Sequence, residues 1–353
     1  MTHPAHDRCA PRPASRLAPR SVPRRSALGL GLGAALGMSG WPIAALAQAR
    51  QRLRISTPAV PDDWHAKMWA VFQDTLTRQA PNQFEVHIHL NGTLFKQGAE
   101  PAAMARGNLE LAAISAFDVA KQVPEFSIFT AGYMLRDAQH QQQVFNGPIG
   151  EALFQRVTER MDLTVLGTVY LGTRQLTLRD RRTVQTPADL KGLKLRMPAS
   201  KEWLFLGNAL GATATPLAFG EVYLGLKTGT IDAQDNPLPT VRAAKLYEVC
   251  QQVVLTQHLV DALFITISHK TWQGLNGAQQ NALRAAAQAA VQFNNRSRLQ
   301  EEAALLDFFK QQGLQIVTPD VAAFRQQVQA TYASSDMART WPAGLTERIR
   351  STR

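Results

Sequence analysis

The chain has 353 residues, 45% of them hydrophobic and 18% charged, a balance that suits two globular domains of ordinary size and excludes broad disorder. Its formal charge of +11 is unevenly placed. Residues 1–47 hold six arginines against Asp7, a net of +5, and the +6 that is left is spread without a Lys/Arg block or aromatic stripe, which argues against a nucleic-acid partner.

The first element in chain order reads as an address. Arg24-Arg25 precedes the uncharged run Ala27–Ala47, and Ala45-Leu-Ala47 and Ala47-Gln-Ala49 offer small-residue cleavage sites. Residues 1–49 therefore read as an export signal that resembles the twin-arginine type, with general secretion as the other route, and the mature protein is expected in the periplasm. A retained anchor is the competing reading, but Gly29, Gly31, Gly33 and Gly37 leave the run poorly hydrophobic. Beyond the signal only Cys250 remains, so no intrachain disulfide can form, and a small buried residue is the favoured reading over a nucleophile.

From residue 50 strand and helix alternate. Leu53–Ser56 reads as a strand, Asp63–Gln79 as a helix opened by Pro61-Asp-Asp63, and Phe84–Leu90 as a strand by its period of two. A helix near Ala99–Arg106 and a buried strand, Leu109–Ser115, follow. This alternation predicts an α/β fold with a largely parallel sheet, whose ligands bind beyond the carboxyl ends of strands, near Ser115.

A second unit begins near Asp162. Leu163–Leu171 is a strand continued in extended form to Leu178, Thr186–Gly192 a turn with a short helix, and Leu193–Met197 a strand. Lys201–Leu210 and Phe219–Lys227 are helical, Ile231–Gln234 a short strand, and Phe264–Ser268 a strand returning to the first unit. Residues 277–312 lack proline and are rich in helix formers, which predicts one long helix or a kinked pair, at ~50 Å long enough to span both lobes. Leu314–Thr318 closes as a strand, and Asp320–Ser335 and Gly344–Ser351 as helices.

Arg174 and Arg196 are the sharpest chemical candidates. A carboxylate drawn into a cleft loses hydration, and a guanidinium can hold both its oxygens. Arg196 ends a strand otherwise made for a core, although an ion pair with a nearby acid is the ordinary alternative. Phe219 opens a helix, where core packing competes with an aromatic wall. Asn236 precedes Pro237, where turn duty competes with an amide aimed at a ligand. Trp203 could stack on a ligand or fill a helix face, and His258 could donate a hydrogen bond to one. His87 and His89 share a strand face without a third ligand, so neither a metal nor a cofactor is expected. No nucleophile has an evident base, no Gly-x-Ser-x-Gly elbow or His-Glu-x-x-His occurs, and no catalytic residue is assigned.

The run Thr215-Pro-Leu-Ala-Phe-Gly-Glu-Val-Tyr-Leu-Gly-Leu-Lys-Thr-Gly-Thr-Ile-Asp-Ala-Gln-Asp-Asn-Pro237 closely resembles the signature of the solute-binding proteins of tripartite ATP-independent periplasmic (TRAP) transporters, the DctP-like family. Asp189-Leu-Lys-Gly-Leu-Lys-Leu-Arg-Met-Pro198 and Gly172-Thr-Arg-Gln-Leu-Thr177 are similar to the segments that carry its two arginines. Ala233, Asp235 and Lys227 depart from the glycine, glutamate and glutamine usual there. The resemblance implies a two-lobed periplasmic-binding-protein-like fold with interlobe crossovers. Lobe I would hold 50–173 and about 262–300, and lobe II 174–261 and about 301–353.

It further implies a protein that closes around an organic acid and delivers it to membrane permease subunits, and a monomeric or weakly associating state is expected. The residue matching Arg196 would grip the carboxylate, with Arg174, Phe219 and Asn236 lining the same cleft. Ser115, His258 and Trp203 complete the expected site, and the polar set Ser115, Gln234, Asn236 and His258, with Trp203 nearby, slightly favours a uronate or aldonate over a C4-dicarboxylate or an aromatic acid. The alternatives are a periplasmic lyase or isomerase acting on a carboxylate, and a sensory ligand-binding subunit.

Overall fold

Two strands far longer than the usual five or six residues set the architecture. A computed structural model describes residues 50–353, and the expected export signal at 1–49 lies outside them. In chain order the strands are β1 (Gln51–Ser56), β2 (Phe84–His89), β3 (Leu111–Ser115), β4 (Leu163–Leu178), β5 (Lys194–Met197), β6 (Thr213–Pro216), β7 (Ala233–Pro237), β8 (Gln252–Ser268) and β9 (Gln315–Val317). They form one sheet in the order β2-β1-β3-β8-β4-β7-β5-β6, with β9 also on β8.

β4 and β8 pair antiparallel from Leu163↔Ser268 to Leu178↔Gln252 and make a ribbon through the middle of the molecule. One end of the ribbon carries β3, which pairs with Leu263–Ile267, and beyond it β1 and β2. The other end carries β7 on Arg174–Leu178, then β5 and β6, with β9 on the opposite flank. The sheet is therefore mixed and not largely parallel. Outer strands run parallel in βα units, whereas the ribbon strands must run opposite ways to carry the chain between the two halves. β8 begins twelve residues before the strand expected at Phe264–Ser268, and β7 runs to Pro237 where a turn was expected at Asn236.

Registers shift along the ribbon between Val165/Gly167, Tyr170/Gly172 and Arg174/Leu176. These bulges break the period-two pattern, which is why the sequence reads as two extended pieces and not one strand. Gly172 sits in the middle bulge at φ +127, and a Cβ there would stand 2.4 Å from Pro237 Cβ. Only glycine fits this crossing.

The helix Gly277–Gln311 is a single element, started by a reciprocal cap in which Asn276 Oδ1 accepts from Gln279 N and Gln279 Oε1 accepts from Asn276 N, both at 3.0 Å. Its first half packs Leu283, Ala286 and Ala290 with Trp69, Phe72 and Ile265. Its far end packs Leu305 and Phe309 with Val222, Leu226 and Val241. One helix thus serves the cores of both halves, as its length predicts. The helices Ala138–Phe145 and Pro148–Met161 and the 3-10 turn Pro124–Thr130 had no counterpart in the sequence reading. They bring Phe126, Phe129, Phe145 and Phe154 into an aromatic cluster around Phe264. Among the described residues no helix is long and apolar enough to cross a membrane.

Candidate functional site

Where the two half-sheets meet, a cavity with about 540 Å³ of atom-free space, part of it open to solvent, lies over the ribbon. From the β5–β7 side and the ribbon it is lined by Arg174, Phe219, Asn236, Thr240, Leu171 and Leu263. From the β1–β3 side come Asp63, His65, Gln97, Glu100, Ser115 and Asp118. Four of the seven residues singled out in the sequence (Arg174, Phe219, Asn236 and Ser115) thus line one space. Arg196 stands directly behind it: its Nη2 donates to Oε1 of the lining residue Gln97 at 3.1 Å, and its guanidinium lies 6.0 Å from the Phe219 ring centre.

The two arginines differ in their partners. Arg174 projects from β4 just past the Gly172 bulge, donates through Nε to Asp261 Oδ2 at 2.7 Å and through Nη1 to the Asp235 carbonyl at 2.8 Å, and sits 3.3 Å from Asp235 Oδ2. Burial would lower its pKa, but the two carboxylates more than offset that and raise it above the ordinary value. The Arg174 charge is compensated by the protein itself.

Arg196 is 1% exposed and has only neutral partners in hydrogen-bonding range: the Leu217 carbonyl, which accepts from Nε at 2.8 Å, and Gln97. No carboxylate within ion-pair distance faces it among the described residues. Burial, with Arg174 adding repulsion and Asp235 and Glu221 only partly offsetting it, pulls its pKa down to about 9. At neutral pH it is a buried cation without a counter-ion, a costly state that an anion in the cavity would relieve.

His258 and Trp203 do not line the cavity and sit one layer behind. His258 is fully buried between Thr256 Oγ1 at 2.8 Å and Asp235 Oδ2 at 3.2 Å. Trp203 lies under the Arg174 guanidinium, 4.2 Å from ring centre to Cζ. Trp203 and Asp261 hold Arg174 directly, and His258 acts on it through Asp235. Asn236 Nδ2 donates to Gln234 Oε1 at 2.5 Å, and its Oδ1 faces Arg174 Nη1 at 3.4 Å.

Apart from Ser115, sequence reasoning missed the opposite wall. Asp63 caps the helix Trp64–Gln79 by accepting from His65 N at 2.9 Å, and it forms a buried ion pair with Arg298 of the long helix. Arg298 also donates to the Leu171 carbonyl at 2.6 Å, and Thr240 Oγ1 donates to Asp63 Oδ2 at 3.1 Å. Burial pushes the Asp63 pKa up, but Arg298, His65 and the hydrogen bonds bring it below the ordinary value. The Pro61-Asp-Asp63 signal marked this residue only as a cap. Glu100 and Asp118 are each 4% exposed, and nothing in their sequence spacing announced that they would face a cavity. Among the described residues no group of three or more His, Cys, Asp or Glu side chains is arranged to hold a metal ion.

A mixed α/β chain with two half-sheets on shared strands, and a cavity between them backed by a buried arginine without a counter-ion, has the build of a solute-binding protein that closes on its ligand. The chain belongs to the DctP family, described as bacterial extracellular solute-binding protein, family 7, whose model matches residues 56–338. It is 30% identical to the sialic acid-binding periplasmic protein SiaP of Vibrio cholerae, over 77% of this chain and 83% of that one. It is likewise 30% identical to the 2,3-diketo-L-gulonate-binding periplasmic protein YiaO of Escherichia coli, over 70% of this chain and 75% of that one. Among solved structures it is similar to a TRAP periplasmic solute binding protein of Roseobacter denitrificans with bound 3-deoxy-D-manno-oct-2-ulosonic acid, at 42% identity and a TM-score of 0.83, covering 86% of this chain and all of that one.

Proposed function

We propose that this chain captures a hydroxylated monocarboxylate in the periplasm, closes its two lobes over it and passes it to TRAP permease subunits, without catalysing a reaction. The observation that carries this reading is Arg196, a fully buried guanidinium whose hydrogen-bond partners are all neutral. A ligand carboxylate would supply its counter-ion, with Arg174 and Asn236 positioned along the same space. Trp203, His258, Asp235 and Asp261 serve as the frame that holds Arg174. The relatives support a sugar acid: besides the octulosonate complex, a second Roseobacter denitrificans binding protein, 27% identical, holds L-galactonate. Lobe boundaries near Thr173/Arg174 and Asp261/Ala262 place the crossings on the ribbon beside the cavity.

The test compares two substitutions by calorimetric titration and thermal melting. Arg196→Met is expected to abolish binding of carboxylates while leaving the melting temperature at or above that of the parent, because an uncompensated buried charge is removed. Arg174→Met is expected to destabilise the fold by about 3–5 kcal/mol, since it strands Asp235 and Asp261. Binding of a carboxylate by Arg196→Met with parental affinity would refute the assignment. Conversion of any bound acid to a product would favour the periplasmic enzyme instead.

A further inference from the structure

Opposite the arginines, the cavity wall built from the β1–β3 side has a chemistry of its own. Glu100 starts the short helix Glu100–Ala105, and its Oε2 accepts from Gly98 N at 2.8 Å. Asp118, one turn past the end of β3, accepts from Ser115 Oγ at 3.2 Å through Oδ2 and from Lys121 Nζ at 3.0 Å through Oδ1. Glu100 forms no ion pair among the described residues and shares the cavity wall with Asp118. Beside them His65, 6% exposed and also on that wall, has a fully buried Nε2 without a hydrogen-bond partner.

We propose that Glu100, Asp118 and His65 form a hydroxyl-reading subsite that selects a monocarboxylate with a polyhydroxylated far end and rejects a dicarboxylate of the same length. The proposal rests on the carboxylate-binding reading above and extends it to the other end of the ligand. Buried carboxylate oxygens accept hydrogen bonds strongly, and sugar hydroxyls are neutral donors that satisfy them without adding charge. A hydroxyl can also accept, which suits a neutral imidazole whose free nitrogen serves either way with its tautomer. A second ligand carboxylate would bring a further negative charge against Glu100, which has no ion-pair partner among the described residues, and the Lys121-paired Asp118 on the same wall, the arrangement that specificity by repulsion uses. Burial first, and Asp118 second, push the Glu100 carboxyl up to about 7, and burial pulls His65 down to about 4, so the wall does not demand a cation at neutral pH.

L-galactonate and galactarate make a matched pair, because they differ only in a terminal hydroxymethyl against a terminal carboxylate. The full chain is titrated calorimetrically with both, and with 3-deoxy-D-manno-oct-2-ulosonate, D-glucuronate and succinate. Expected is tighter binding of at least one hydroxylated monoacid than of either diacid, by ~10-fold or more, as befits a buried hydrogen bond to a charged group. Glu100→Gln and Asp118→Asn, each shown folded by circular dichroism, are expected to weaken the monoacid and to narrow the gap between the matched pair. Glu100→Asp, which keeps the charge, should retain the preference. Variants that bind both members of the pair as the parent does, or a parent that prefers a diacid, would overturn the subsite and leave carboxylate capture standing. A parent that binds none of the five acids would overturn both readings.

Discussion

At the scale of single residues, one acid and one histidine on the cavity wall pull stability in opposite directions with pH. Glu100 has an ordinary carboxyl pKa near 4.5 when unfolded and about 7 when folded, so the native chain keeps a proton that the unfolded chain releases between those values. That contribution is complete below about pH 4.5 and is lost as the pH rises through about 7. His65 moves from 6.5 down to about 4, so its contribution is complete above the higher value and is lost as the pH falls towards the lower. Glu100→Gln should therefore stabilise the ligand-free protein by ~1–3 kcal/mol at pH 8 and by almost nothing at pH 4.5, read from urea unfolding at the two pH values. An equal effect at both would mean that the folded carboxyl is not held up by burial. A residue that costs stability while lining a cavity is the pattern expected of recognition groups.

At the scale of elements, the ribbon strand β4 does two jobs that a regular strand could not combine. Its Leu163–Thr168 part serves the half-sheet of β1–β3, and its Arg174–Leu178 part pairs with β7. The Gly172 bulge lies between them and sets the direction from which Arg174 meets Asp261 and Asp235. Glu302 of the long helix braces the same point, accepting from Thr173 N at 3.1 Å and from Tyr170 Oη at 2.8 Å. A methyl group on Gly172 would press on both Pro237 and Glu302 Oε1, the latter 2.6 Å from the added carbon. Gly172→Ala is expected to cost ~1–3 kcal/mol or more from overpacking and the positive φ. It should also weaken carboxylate binding, because Arg174 lies two residues on. Chemical denaturation with titration of the same preparation checks both, and unchanged stability would show that the bulge relaxes freely.

At the scale of the whole molecule, parts far apart in sequence meet around one buried ion pair. Asp63 begins the first helix, Arg298 lies beyond the middle of the longest one, and Thr240 and the Leu171 carbonyl complete the group from the other half and from the ribbon. All are at the cavity floor or directly beneath it, so the contact that unites the fold also shapes the site. Removing one charge leaves the other desolvated and unpaired. Arg298→Met is expected to destabilise by about 3–5 kcal/mol, and the double change Asp63→Asn with Arg298→Met to recover a large part of that. A single variant as stable as the parent would show that the ion pair contributes nothing net.

Much of this was legible in the sequence, for local reasons. Period-two and helical patterns placed most strands and helices between residues 51 and 115 and again from 194 onwards. The proline-free run from Gly277 announced a helix long enough to serve two cores, and the ordered set of Arg174, Arg196, Phe219 and Asn236 identified the family. What the pattern could not carry was strand direction, because pairing partners such as Leu163 and Ser268 lie a hundred residues apart and hydrophobic period is the same either way. Nor could it separate the two arginines. Arg174 and Arg196 look alike in sequence, yet one is compensated by Asp235 and Asp261 and the other is left with neutral partners, a difference made by which side chains the ribbon brings within reach. The acidic wall of Glu100 and Asp118 belongs to the same class. The sequence by itself determined most of the elements and the family and singled out the two arginines, since these follow from local periodicity and ordered motifs. The tertiary structure alone decided which charges are compensated and which are left with neutral partners, since that depends on distances between segments that no local pattern encodes.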